Sequence, residues 1–161
     1  MIVVVLVSNI GCDQVSKNII RQSLDFHENI VIIKDYVTLT KVENTGAFLS
    51  LGESLPTPLK SILLTGLPVA ILTLALLFLF TKKDLSLLTV LGIGFIVGGG
   101  AGNIYDRILY GSVTDFLHIN FVIFETGVFN MADVSIMAGV GMVLFDVFFY
   151  NEDTFLTGIP E

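Results

Sequence analysis

Two uncharged runs, 61–81 and 85–105, are separated only by Lys82, Lys83 and Asp84. Each is as long as the roughly 20 helical residues that cross a ~30 Å hydrocarbon core, and so short a turn makes them antiparallel neighbours. Gly66 and Pro68 inside the first run are tolerated in membrane helices. A third run covers 131–150. Residues 1–20 open with no charged side chain before Asp13. The chain of 161 residues is 53% hydrophobic and 14% charged, with mean hydropathy +0.85, outside the balance of soluble domains. The expectation is an α-helical integral membrane protein, a single domain over 1–161, with four transmembrane helices at about 1–20, 61–81, 85–105 and 131–150. The first run lacks a basic residue ahead of it and carries Asn9 three before Cys12, so it reads as a retained helix rather than a cleaved leader.

Between the first two spans the pattern changes. Val31, Ile33, Val37, Leu39, Thr40 and Val42 mix with charged residues in short β-favouring runs, and Gly46 and Gly52 supply turns. A small extramembrane β element is expected over about 23–58. A further strand is read at 113–120, where Val113, Asp115, Leu117 and Ile119 alternate with Thr114, Phe116, His118 and Asn120. That alternation puts Asp115 on the apolar, buried face. His118, on the other face, reads as a surface or hydrogen-bonded residue.

Polar side chains gather at the span ends. Asp13 and Lys17 stand one helical turn apart, and the cost of an unpaired charge in a membrane helix, about 2.5–3.5 kcal/mol, argues that they pair and face inward. Gly99, Asn103 and Arg107 recur at i, i+4 and i+8 and share one stripe, the glycine admitting a neighbouring backbone. Asp106 points to another face and reads as interfacial. Asn130 and Asp133 open the last span, where both are good helix-capping residues. Asp146 lies about 20 Å further along, near the opposite interface. Asn44-Thr45-Gly46-Ala47 by itself reads as a turn, and the tail 151–161 as polar and frayed.

Several classes fall away. A net charge of −7 without a Lys/Arg cluster argues against nucleic acid. With Cys12 the only cysteine, and His27 and His118 far apart, neither a disulfide nor a zinc site is supported.

Taken together, Asp13-Gln14-Val15-Ser16-Lys17, Asn44-Thr45-Gly46-Ala47, the run from Gly98 to Arg107, Val113-Thr114-Asp115-Phe116 and Phe129-Asn130-Met131-Ala132-Asp133 resemble, in order, the motifs of the lipoprotein signal peptidase (type II signal peptidase) family. Two departures stand out: Phe48 and Leu49 follow Ala47 where the family has a small residue and an aromatic, and Thr126-Gly127 replaces an aromatic and a proline. The resemblance implies an aspartic endopeptidase of the bacterial cytoplasmic membrane. It would cut prolipoproteins before the diacylglyceryl-modified cysteine. Asp115 and Asp133 would be catalytic, and Asp13, Lys17, Asn44, Gly46, Gly99, Asn103, Arg107 and Asn130 would bind substrate or support the site. Two close carboxylates cannot both stay ionised, so one serves as base and one as acid. No metal or cofactor is called for. The partners expected are the lipid-modified prolipoprotein and membrane lipids, with the enzyme monomeric.

The resemblance further implies cytoplasmic termini and a site near the outer leaflet. Basic residues, counted naively, oppose that orientation: Lys17, Arg21, Lys34, Lys41, Lys60 and Arg107 on the site's side outnumber Lys82 and Lys83. The orientation is kept by assigning Lys17 and Arg107 to the site and noting that acids intersperse the rest. The rival from another class is a proton-coupled carrier or small channel, which also uses buried charges. A carrier would spread them through the membrane depth, whereas here all but Asp146 gather at one end. A purely structural scaffold would leave their cost unexplained.

Overall fold

The computed structural model describes residues 1–26, 28–46 and 55–150. His27, Ala47, Phe48, Leu49, the expected turn at Gly52 and the tail 151–161 lie outside the described residues. In chain order the elements are α1 (Ile2–Ser23), β1 (Asn29–Ile33), β2 (Val37–Asn44), α2 (Thr57–Thr81), α3 (Leu87–Tyr110), β3 (Val113–Ile119) and α4 (Met131–Phe145, continued by a π-helical turn, Asp146–Tyr150). Three helices are long and apolar enough to cross a membrane: Thr57–Thr81, Leu87–Tyr110 and Met131–Phe149. The fourth long helix, α1, packs on α3 and α4 with Asn9, Asp13, Lys17 and Ile20 buried.

α3 is the central helix. Of its most apolar stretch 39% is buried, against 6% for α2, so α2 presents nearly all of its side chains outward. Glycines set the close approaches to α3. A Cβ at Gly98 would stand 2.7 Å from Asn9 Cβ of α1, and one at Gly99 would collide with the Ala132 carbonyl of α4. The sequence expectation for Gly99 is met by that contact. In α2, Pro68 has no N–H and its ring crowds the carbonyl four residues back; the widened π-helical turn Ile62–Gly66 lies just before it and accommodates both effects.

The helices run past their expected ends for local reasons. α2 starts at Thr57, not 61, because Pro58 falls in the first turn, where its missing N–H costs nothing. α3 opens on Ser86, whose Oγ accepts from Thr89 N at 3.0 Å, and ends beyond 105 at Gly111, which takes the left-handed conformation with φ 75°. α1 continues to Ser23, three residues beyond the expected 20.

The sheet has three antiparallel strands in the order β1-β2-β3. The strand expected separately at 113–120 is therefore part of the same β element as 23–58, with Asn44 opposite Val113 and Val42 opposite Asp115. Its burial also departs from simple alternation: Val113, Thr114, Asp115 and Phe116 are all buried, since β3 packs on both α1 and α3. A small apolar core of Ile20, Leu24 and Phe116, with Leu39, Leu117 and Met131 against it, joins the end of α1 to the sheet.

Candidate active site

The first turn of α4 fixes the site. Asn130 Oδ1 accepts from Asp133 N at 3.1 Å, and Asp133 Oδ2 accepts from Asn130 N at 3.1 Å. This reciprocal cap satisfies N–H groups that the helix cannot pair itself and sets a carboxylate at its positive end. Capping and site-building are thus the same interaction. With Oδ1 committed to the backbone, Asn130 Nδ2 turns the other way and donates to Asp115 Oδ1 at 2.6 Å and Asn103 Oδ1 at 3.2 Å.

Asp115 arrives from β3 beside its neighbouring strand. Its other oxygen accepts from Asn44 Nδ2 at 2.9 Å. Asn44 Oδ1 in turn accepts from Gly46 N at 2.9 Å, a local turn over the described part of 44–47 that aims the amide. Arg107 Nη2 donates to the Gly46 carbonyl at 3.0 Å, tying that turn to α3.

One turn earlier on α3, Asn103 Nδ2 donates to Asp133 Oδ1 at 2.9 Å while its Oδ1 accepts from Lys17 Nζ at 2.9 Å. Lys17 also meets Asp13 Oδ2 at 2.8 Å and Asp106 Oδ2 at 3.1 Å, all three side chains being fully buried. Three acceptors match the three protons of an ammonium group. Asp13 Oδ1 then accepts from Ala132 N at 3.0 Å, another N-terminal N–H of α4. The ten residues expected in or around the site thus converge: eight of their side chains join one hydrogen-bonded network, Gly46 enters through its backbone, and Gly99 admits the backbone of α4.

Among the described residues no hydrogen bond joins the two carboxyls directly; Asn130 stands between them. They are nevertheless coupled. Burial pushes the Asp115 carboxyl up to about 6 from 3.8; the hydrogen bond from Asn44 opposes this, the nearby charge of Asp133 adds to it, and Asn130 opposes it again. A carboxyl in that range can hold a proton close to neutral pH and still release it.

A cavity of about 550 Å³ opens beside Asp133. Asn103, Arg107 and Asp133 form its polar wall, and Leu63, Leu64, Pro68, Ile136 and Met137 its apolar one. Beyond Arg107 a smaller, more polar cavity of about 260 Å³ is lined by Thr45, Thr57, Lys60, Ser61 and Thr65 among others.

Two sequence readings need correction. Asp106 is not interfacial: it is fully buried, accepts from Gln14 Nε2 at 3.1 Å, and pairs with Arg21 Nη2 at 2.8 Å as well as with Lys17. Nor does it lie on another face from Asn103: the two stand one turn apart and both meet Lys17 Nζ, so the side of α3 they share packs on α1. Arg21 and Lys41 are not loop charges either. Arg21 Nε donates to Thr114 Oγ1 at 2.8 Å and its guanidinium lies over Tyr110, while Lys41 Nζ donates to the carbonyls of Arg21 and Leu24 at the end of α1. Asp13, Lys17 and Arg21 recur at i, i+4 and i+8; that spacing would have revealed Arg21 had the helix been carried beyond residue 20. Asn9, which bonds Ser135 Oγ at 2.7 Å, carried no sequence signal beyond being polar within an apolar run. His118 is half-buried, with Nε2 3.7 Å from Glu125 Oε2, a distance beyond a hydrogen bond.

The profile of a peptidase family described as signal peptidase (SPase) II matches residues 3–149. The chain is 35% identical over 154 residues to the lipoprotein signal peptidase of Wigglesworthia glossinidia brevipalpis, covering 94% of each chain. It is 31% identical over 144 residues to that of Streptococcus pneumoniae, covering 89% and 90%. A bacterial membrane enzyme solved by the in meso method at 2.3 Å shares the fold with a TM-score of 0.82 at 25% identity, over 91% of this chain and 86% of the other. The chain belongs to the signal peptidase II family, the lipoprotein signal peptidases.

Proposed function

We propose that Asp115 and Asp133 are the catalytic pair of a single-domain aspartic endopeptidase that removes the signal peptide of diacylglyceryl-modified prolipoproteins, cutting before the lipidated cysteine. As a member of its family the chain is a membrane peptidase of lipoprotein maturation; the relatives it matches are named peptidases, and nothing among them favours a carrier or channel. The observation that carries the assignment is the bridge at Asn130, whose side-chain Nδ2 donates to the Asp115 carboxylate of β3 and whose backbone N–H donates to the Asp133 carboxylate of α4.

The donors suggest a division of labour. Asp133 accepts N–H bonds at both oxygens at the head of α4, an arrangement suited to the base. Asp115, pushed up to about 6, is the better holder of the proton. In the forward step Asp133 removes a proton from a water whose oxygen attacks the scissile carbonyl carbon, and Asp115 donates its proton to the carbonyl oxygen. As the tetrahedral intermediate collapses, the proton on Asp133 passes to the leaving amine while Asp115 recovers its own. Asn44, Asn103, Asn130, Lys17 and Asp13 keep the two carboxyls in place, Arg107 and the Gly46 backbone hold the Asn44 turn, and Gly99 permits the close approach of α4. The 550 Å³ cavity, polar along Asp133 and apolar along α2, suits an extended lipopeptide entering from the membrane.

The same reading makes α1 a fourth span, with cytoplasmic termini, the site near the outer leaflet of the bacterial cytoplasmic membrane, and a monomer in contact with lipid. Its support is that Lys17, Arg21, Lys41 and Arg107 are all bonded within the fold, so most of the basic residues counted on the site's side are not loop charges. Purified protein should cleave a diacylglyceryl-modified prolipoprotein equally well with and without a metal chelator. Loss of cleavage in chelator, or none in the parent, would remove the proposal.

A further inference from the structure

Residues 111–130 start where one membrane-capable helix ends and stop where the next begins, and between those two roots they carry an apolar tip. The tip is Phe121-Val122-Ile123-Phe124, whose side chains are exposed by 48, 77, 89 and 58%. It is an ordered finger: Phe121 N donates to the Phe124 carbonyl at 2.8 Å, Val122 N to Asn120 Oδ1 at 2.8 Å, and the two phenyl rings stack at 4.7 Å. Thr126 closes its base by bonding both backbone groups of Ile119. Val122 holds φ at 70°, a conformation in which a β-branched residue is a rare outlier and Gly or Asn the usual choice.

The finger is not an isolated patch. Asn120 N donates to the Tyr36 carbonyl at 2.7 Å, joining it to the β1–β2 turn, and β1 itself exposes Ile30, Val31, Ile32 and Ile33 along the sheet edge. Between Ile119 and Phe124 there is no charged side chain. Both roots of the finger are ends of spans, Tyr110 of α3 and Met131 of α4, so the tip belongs to a segment tethered twice to the bilayer boundary. We infer that Phe121–Phe124 inserts into the interfacial layer of the membrane and fastens the sheet, and with it Asp115, to the bilayer surface.

The test uses the full chain with Cys12→Ser and Ile123→Cys, labelled at residue 123 with an environment-sensitive fluorophore and reconstituted in phosphatidylcholine vesicles. Blue-shifted emission, quenched by nitroxide-bearing lipids and shielded from aqueous iodide at every protein-to-lipid ratio, is the expected result. Water-like emission quenched by iodide would overturn the inference. So would a blue shift that vanishes as the protein is diluted in lipid, since a second copy would then be the occupant. Cleavage by the labelled protein is read in parallel, so failure of the finger and failure of the catalytic assignment remain distinguishable.

Discussion

The two ends of the helical bundle solve the same problem differently. At the site end Asp13, Lys17, Arg21 and Asp106 form a buried set of opposite charges, with amides relaying it to Asp133 and Asp115. At the other end Asp146 has no cation beside it among the described residues and is held by the hydroxyls of Ser86 and Thr89, each at 2.5 Å. A lone carboxylate with two hydroxyl donors joins α3 to α4. The charged set costs more to bury but holds three helices and a strand in register, with donors directed at two carboxyls. The difference separates a structural clamp from the proposed reaction centre.

Lys17→Met should expose that difference most. Removing the only cation shared by Asp13 and Asp106 leaves buried charge uncompensated, a loss of about 3–5 kcal/mol in a buried pair. A large fall in the thermal midpoint in detergent, accompanied by loss of cleavage, is the expected outcome. An unchanged midpoint would mean the charged set is no different in kind from the Asp146 clamp.

The pH dependence of stability comes next. The folded state holds the Asp115 proton more tightly than the unfolded chain, whose value is near 3.8. This contribution is therefore complete below about pH 4 and is lost as pH rises to about 6, on the order of 3 kcal/mol across the window. Asp115→Asn should flatten the fall in thermal midpoint between pH 4 and 6. A slope identical to the parent's would move the raised carboxyl elsewhere.

Asp146→Asn should have the smallest effect: a midpoint shift clearly below that of Lys17→Met, with cleavage at the parent's rate. A loss of activity equal to that of a site variant would erase the contrast between the two ends.

Much of this site was legible in the sequence because polar residues interrupt apolar runs and must be explained there. Asp13 with Lys17, and Gly99 with Asn103, reveal themselves by helical spacing alone. Pairing of β2 with β3 was not legible, since register across some 70 residues is set by how the helices deliver the strands. Asp106 was misread for a related reason: periodicity assigns a helix face but not the neighbour that covers it. Arg21 was missed because α1 was ended a turn early, before Leu24 takes the extended conformation.

The catalytic pairing of Asp115 with Asp133 is tested most directly by single-turnover cleavage of a diacylglyceryl-modified prolipoprotein by Asp115→Asn, Asp133→Asn and the double variant, each shown to be folded and to bind substrate. The account predicts that each single variant loses at least about 1,000-fold and that the double variant is little worse than either, as for groups acting as a unit. Substantial turnover by either single variant, or losses that multiply in the double one, would contradict it.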